Sequence, residues 1–155
     1  MSTGNRVFRS ALLGEAVVNI ATMIPMISNP EYCLSFLVKG PAQITPATKS
    51  LMQLCGGLIV LATAPLLVSY PEPTSGQTSS SVTARRRLTY LNMAISEAGL
   101  GALTLFQYLS GDSGMTDRAL LIATTTMVTL TSMRAYVLYA KPQWVEPEES
   151  GKKTR

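Results

Sequence analysis

The sequence contains no histidine and few charged residues. Lys, Arg, Asp and Glu make up 14% of the 155 residues, whereas a soluble domain usually carries about 25%. The absence of histidine removes a common metal ligand and the side chain whose charge changes near neutral pH. Proton transfer by this chain must therefore use carboxyl groups, tyrosines or water.

Cysteines and cofactor motifs are also scarce. Cys33 and Cys55 are the only cysteines, and Cys55 lies within an apolar run, so we expect no disulfide framework. The sequence has no phosphate-binding loop, dinucleotide-binding fingerprint or metal-ligand set. We therefore expect no cofactor and no metal, and any chemistry should be acid–base chemistry.

Four long apolar segments account for the low charge. They cover about 7–27, 48–70, 88–109 and 117–140. Each is close to the ~20 residues needed to cross a hydrocarbon core about 30 Å thick. We predict an all-α fold, an integral membrane four-helix bundle formed by residues 1–145. Residues 146–155 are predicted to form a disordered cytoplasmic tail.

The segments between the predicted helices contain residues that stop helices. The segment after the first helix contains Pro30, Gly40, Pro41 and Pro46, and is long enough for an ordered turn or a short re-entrant piece. Residues 72–84 are rich in Ser, Thr, Gly and Pro, which predicts a flexible loop. The three arginines at 85–87 then precede the third helix, and we interpret them as a topology signal.

The lysines and arginines predict the orientation in the membrane. Nine lie at the N-terminus, between the second and third helices, or in the tail, and three lie on the opposite side. The nine are Arg6, Arg9, Arg85, Arg86, Arg87, Lys141, Lys152, Lys153 and Arg155, and the three are Lys39, Lys49 and Arg118. The excess predicts that both termini are cytoplasmic, and we expect the endoplasmic reticulum membrane. Because the basic residues flank apolar segments, we expect a lipid bilayer as partner and no nucleic acid.

Residues 11–22 and 93–104 resemble each other weakly. Aligned on Glu15 and Glu97, both segments continue with Ala and have Thr seven positions later, at Thr22 and Thr104. A duplicated two-helix hairpin would explain this similarity.

Three ionisable residues, Glu15, Glu97 and Arg134, fall within the predicted spans. A charge at the centre of a membrane helix costs about 2.5–3.5 kcal/mol, so these side chains should face the bundle interior and pair. At the rise of an α-helix, Glu15 lies ~9 Å from Arg9, Glu97 ~15 Å from Arg87 and Arg134 ~10 Å from Lys141, where these three basic residues mark the cytoplasmic edge. We therefore expect the three side chains to meet at one level.

Two acids and one arginine leave one carboxyl group without a counter-charge, so we expect one glutamate to retain its proton. A protonated and an ionised carboxyl group held by one arginine form an acid–base pair. This reasoning predicts Glu15, Glu97 and Arg134 as catalytic residues. The alternative is a structural salt bridge that locks the helices together.

Five neighbouring residues are predicted to bind the substrate. Asn19 lies one turn from Glu15 on the same helix face. On the third helix Tyr90, Met93 and Gly101 share the face of Glu97, and Asn92 lies in the adjacent turn. A substrate that reaches a site within the bilayer should be lipophilic. Two reactions fit: opening of an epoxide by hydrolysis or cyclisation, and isomerisation or cyclisation of a polyene or terpenoid.

Four segments resemble those of a known group of proteins. They are ALLGEA at 11–16, GPAQITPATKSLMQLCGG at 40–57, ISEAGLGAL at 95–103 and RAYVLYAKPQW at 134–144. Through them the chain resembles small fungal four-helix membrane proteins encoded in polyketide and other natural-product gene clusters, some assigned as epoxide hydrolases or cyclases. The resemblance spans nearly the whole chain. It implies epoxide opening in a polyketide-type substrate, with Glu15, Glu97 and Arg134 as site residues.

A non-catalytic function remains an alternative at this point. The protein could be a membrane scaffold or carrier that gathers the enzymes of one pathway. Formation of a homodimer, or contact with other pathway enzymes, is compatible with either function.

Overall fold

A computed structural model describes residues 3–74 and 76–147. Every regular element within these ranges is helical. The α-helices are α1 (Thr3–Ser28), α2 (Pro30–Leu37), α3 (Pro46–Ser69), α4 (Ser79–Ser110) and α5 (Asp117–Ala135). A π-helical turn, Tyr136–Ala140, continues α5, and short 3-10 turns occupy Pro41–Gln43 and Pro142–Trp144. Most of the predicted disordered tail, 148–155, lies outside the described residues.

Three of the helices in the described ranges are long and apolar enough to cross a membrane: α1, α3, and α5 with its π turn. The predicted third span, which is part of α4, is not among them. Large apolar side chains on the long helices are exposed, for example Leu61 at 69%, Phe106 at 69% and Leu109 at 73%. A surface this apolar is suited to lipid and not to water. Length, composition and exposure together indicate an integral membrane protein.

Helix α4 begins earlier than the sequence predicted. It starts at Ser79, and the side chain of Thr78 accepts a hydrogen bond from the Ser81 amide as N-cap. Ser and Thr therefore begin a helix here instead of extending a loop. The predicted flexible loop at 72–84 is wrong in its second half, and the arginines at 85–87 lie within α4.

The segment after α1 contains a short helix, α2, which the sequence analysis allowed only as a turn or re-entrant piece. The Asn29 side chain accepts a hydrogen bond from the Tyr32 amide, and Pro30 occupies the first turn, as is favourable at a helix start. Beyond α2, the Lys39 amide donates to the Gly114 carbonyl at 3.0 Å. This contact joins the segment after α2 to the connection between α4 and α5.

The long helices pack in two pairs, α1 with α3 and α4 with α5, and contacts between the pairs are fewer. Glycines allow close approach within each pair. A Cβ atom on Gly56 would lie 2.9 Å from Ile27 Cγ1, and one on Gly101 would lie 3.2 Å from Met127 Cβ. This pairing is compatible with the hairpin repeat that the sequence indicated, while the duplication itself stays a prediction.

One apolar cluster joins the two pairs near the start of α1. It consists of Phe8, Leu12, Leu66, Tyr90, Val137, Leu138 and Val145. The Phe8 and Tyr90 ring centroids are 4.8 Å apart, and Val145 is fully buried. Residues just beyond the predicted fourth helix therefore fold back onto the bundle.

Arg86 stabilises the same end of the molecule, which we call the Arg86 end. Its side chain is fully buried, and it donates hydrogen bonds to the Ser69 carbonyl at 3.0 Å and the Val145 carbonyl at 3.2 Å. It therefore ties the last turn of α3 and the chain after α5 to α4. Burial lowers the pKa of the Arg86 guanidinium, against the opposite effect of Glu72. The interpretation of 85–87 as a topology signal did not include this packing role.

Candidate functional site

The guanidinium of Arg134 on α5 binds the carboxylate of Glu97 on α4. Arg134 Nε donates to both Glu97 oxygens, at 2.9 and 2.8 Å, and Nη2 donates to Oε1 at 2.7 Å. Arg134 is fully buried and Glu97 is 7% exposed. A planar guanidinium matches a carboxylate in this way better than an ammonium group would.

Glu15 on α1 binds the same guanidinium from the other helix pair. Arg134 Nη2 donates to Glu15 Oε1 at 2.5 Å, and Glu15 Oε2 receives no hydrogen bond from the described residues. The expected meeting of Glu15, Glu97 and Arg134 is confirmed. Their catalytic role stays a prediction.

The aromatic ring of Tyr90 also contacts the Arg134 guanidinium. The Arg134 guanidinium carbon lies 4.9 Å from the centroid of the Tyr90 ring, within the range of a cation–π contact. Tyr90 is 1% exposed, and Phe8 packs against its ring. The arginine is therefore held by two carboxyl groups and one aromatic ring.

A large apolar cavity of about 900 Å³ lies between the two helix pairs. It is lined from α1 by Ala11, Gly14, Glu15, Val18 and Asn19, from α3 by Ile59, Ala62 and Pro65, from α4 by Arg85, Leu88, Thr89, Asn92, Met93, Ser96, Glu97 and Leu100, and from α5 by Thr126, Met127, Leu130 and Met133. Both glutamates of the cluster thus line an apolar space large enough for a small molecule.

The predicted site residues divide into two groups. Glu15, Asn19, Asn92, Met93 and Glu97 line the large cavity. The other three, Tyr90, Arg134 and Gly101, do not line it.

Gly101 lines a separate space of about 240 Å³ between α4 and α5. Its lack of a side chain makes room for Met127 of α5. The structure thus does not bring Gly101 to the cavity where the two carboxyl groups lie.

Three polar residues of α4 that line the cavity, and Thr126 of α5, are absent from the sequence-based site; those of α4 are Arg85, Thr89 and Ser96. Together with Asn92 they recur at helical spacing on one face of α4. This spacing is visible in the sequence. The predicted third helix began at residue 88, however, so Arg85 was not considered part of it.

The site has more acid than base. Two carboxyl groups share one arginine, and a single proton on either acid would balance the charge. Among the residues that the structure describes, no three Cys, Asp or Glu side chains gather as metal ligands would.

Comparison with known proteins gives no relative. No family model, curated protein or solved structure matches the chain. The geometry of the site is therefore the main support for a function.

Proposed function

We propose that the protein is a membrane enzyme that opens an epoxide of a lipophilic, polyketide-type substrate by acid–base catalysis. The observation that carries the proposal is that two carboxyl groups share one buried guanidinium at the wall of an apolar cavity. Cavities of ~300–1,000 Å³ are typical of small-molecule sites. The resemblance to fungal proteins of polyketide clusters favours the same reaction.

The hydrogen bonds suggest which glutamate holds the proton. Glu97 accepts three hydrogen bonds from Arg134, and such contacts favour an ionised carboxylate. Glu15 accepts one, and its Oε2 is free of donors among the described residues. In the resting enzyme we assign the ionised form to Glu97 and the protonated form to Glu15.

The proposed reaction uses this pair once per turnover. The Glu97 carboxylate removes a proton from water as the water oxygen attacks an epoxide carbon. The carbon–oxygen bond of the ring breaks, and Glu15 gives its proton to the departing oxygen. Epoxide and water become a diol, and one proton has moved from Glu15 to Glu97. Proton exchange between the two acids restores the resting state.

A hydroxyl group of the substrate can replace water in the same scheme. Attack within the substrate then gives a cyclic ether without addition of water. Asn19 and Asn92 line the cavity, and their amides are suited to orient the attacking oxygen. A positioned acid and a positioned base each contribute about 10²–10⁴ in rate.

The proposal includes four membrane crossings, with α4 as the additional span. The segment 88–109 within α4 contains Glu97 as its only charged residue, and Arg134 pairs with it. Exposed apolar side chains cover this segment as they cover the other long helices. The hydrogen bond between Lys39 and Gly114 supports a common position for the far end of α4 and the segment after α2. We infer cytoplasmic termini from the positive charges near the Arg86 end, and we propose the endoplasmic reticulum as the membrane.

The test is conversion of lipophilic epoxides by microsomes that contain the protein, with products identified by mass. Hydrolysis adds one water, and cyclisation leaves the mass unchanged. Glu15→Gln and Glu97→Gln should each lower turnover at least ~100-fold per folded molecule. Glu31→Gln should not, because Glu31 pairs with Lys49 far from the cavity. Normal turnover by both Gln variants would refute the proposal and favour a scaffold or carrier.

A further inference from the structure

Arg85 lines the large cavity and has no carboxylate partner among the residues that the structure describes. It is the first residue of α4 in the cavity wall. Its Nε atom is shielded from solvent and has no hydrogen-bond partner among the described residues. A shielded donor of this kind is costly unless a ligand satisfies it.

The surrounding charges do not neutralise Arg85. Glu72 Oε1 contacts Arg9 Nη1 and Arg86 Nη2, each at 3.4 Å. Arg9 and Arg86 therefore share one acid, and no carboxylate within the part of the chain described here forms an ion pair with Arg85. Among the described residues, the arginines at the Arg86 end of the cavity thus outnumber the carboxylates paired with them.

A polar stripe leads from Arg85 toward the acid pair. Thr89, Asn92 and Ser96 follow Arg85 along the cavity-facing side of α4 and lead to Glu97. The twelve residues from Arg85 to Glu97 correspond to ~18 Å along the helix. Apart from Glu15 and Asn19, the opposite wall formed by α1 and α3 is apolar, with residues such as Val18, Ile59 and Pro65. The cavity thus has a cationic residue, Arg85, at one end, apolar residues along its length, and the acid pair Glu15 and Glu97 farther along.

We propose that Arg85 binds the anionic head of an amphipathic substrate, a carboxylate or an ionised enol, whose apolar body extends to Glu15 and Glu97. The inference rests on the proposed function and adds the substrate class. A guanidinium can hold such a group with two parallel hydrogen bonds. When Arg85 holds the head group, the substrate atom about 18 Å from that head group lies beside Glu15 and Glu97.

The binding test needs no turnover. Trp144 is the only tryptophan of the chain and packs near the start of α1 at the Arg86 end. Energy transfer from Trp144 to cis-parinaric acid, a fluorescent polyene carboxylate, reports binding in phosphatidylcholine proteoliposomes. The methyl ester of the same polyene is the matched uncharged ligand.

Arg85→Gln should weaken binding of the acid about 10- to 100-fold and leave binding of the ester unchanged. Arg87→Gln is the control, because Arg87 is exposed and lines a different, polar space with Ser80 and Thr83. Equal loss in both variants, or equal binding of acid and ester by the unaltered protein, would overturn the inference.

Two further arms separate this inference from other outcomes. The Glu15→Gln variant should bind cis-parinaric acid as the unaltered protein does. Loss of turnover with retained binding in this variant would then bear on the proposed reaction and not on the binding role of Arg85. Adding phosphatidic acid to the vesicles tests a lipid occupant. Displacement of the polyene by this lipid, dependent on Arg85, would assign the site to membrane lipid and refute a substrate head group.

Discussion

Arg134 holds Glu97 with three hydrogen bonds of 2.7–2.9 Å, but it reaches Glu15 with one. The first contact lies within the α4–α5 pair, and the second crosses to α1. Arg134 is therefore bound more strongly to Glu97 than to Glu15. The two glutamates, similar in sequence context, should respond differently to the same substitution.

Glu97→Gln should destabilise the protein more than Glu15→Gln. Loss of the Glu97 charge breaks a buried pair, and such losses cost about 3–5 kcal/mol. Glu15 is assigned as protonated, so its substitution removes no charge, and the Gln oxygen can still accept from Arg134 Nη2. A loss of about 0.5–1.5 kcal/mol is therefore expected. Thermal unfolding in detergent micelles measures the difference. An equal shift in the two variants would show that the unequal hydrogen bonds do not set stability.

Arg86→Gln should lower the free energy of unfolding by at least about 3 kcal/mol, because several buried carbonyl groups lose a charged donor. Arg87→Gln is the natural control, since Arg87 is exposed on the next position of the same helix and should shift stability by less than ~0.5 kcal/mol. Chemical denaturation followed by helical circular dichroism compares the two. Similar stability of both variants would argue against the packing role of Arg86.

Gly56→Ala should destabilise the α1–α3 pair, whereas Gly57→Ala should not. An added Cβ atom at Gly56 would lie 2.9 Å from Ile27 Cγ1, whereas one at Gly57 would have no described residue within 4 Å. Overpacking typically costs about 1–3 kcal/mol, while Ala in place of an unhindered helical Gly gains up to ~1 kcal/mol. Thermal melting of the two variants should therefore move in opposite directions. A loss of stability at both glycines would point to flexibility of α3 as the cause.

Four crossings predict opposite sides for residues 77 and 112. Both are exposed in the structure. In a protein carrying Cys33→Ser and Cys55→Ser, Gln77→Cys should react with an impermeant maleimide on intact microsomes. Asp112→Cys should react only after permeabilisation. Labelling of both cysteines in intact vesicles would mean that α4 does not cross the membrane.

The sequence was informative where one physical requirement dominates. Apolar length alone located α1, α3 and α5, because lipid tolerates few polar side chains over that distance. Depth along each helix was enough to bring Glu15, Glu97 and Arg134 together, since a buried charge must find a partner. Neither inference needed knowledge of side-chain packing.

The features that were missed depend on contacts between elements. The start of α4 depends on Thr78 acting as a cap, and a Ser- and Thr-rich stretch suits a loop equally well. Arg86 differs from its neighbours only in pointing toward α3 and the chain after α5. Gly101 was assigned to substrate binding because it shares a helix face with Glu97, but it packs against Met127 of α5.

The π turn at Tyr136–Ala140 has a consequence for everything beyond it. Its closing bond runs from the Lys141 amide to the Tyr136 carbonyl at 3.1 Å, one residue wider than an α-helical bond. Each residue of a helix turns the chain by ~100°. Shortening this turn by one residue would swing Val145 away from Phe8 and Leu66, its partners in the apolar cluster. The direction in which the chain leaves the π turn thus determines whether Val145 can pack in the apolar cluster.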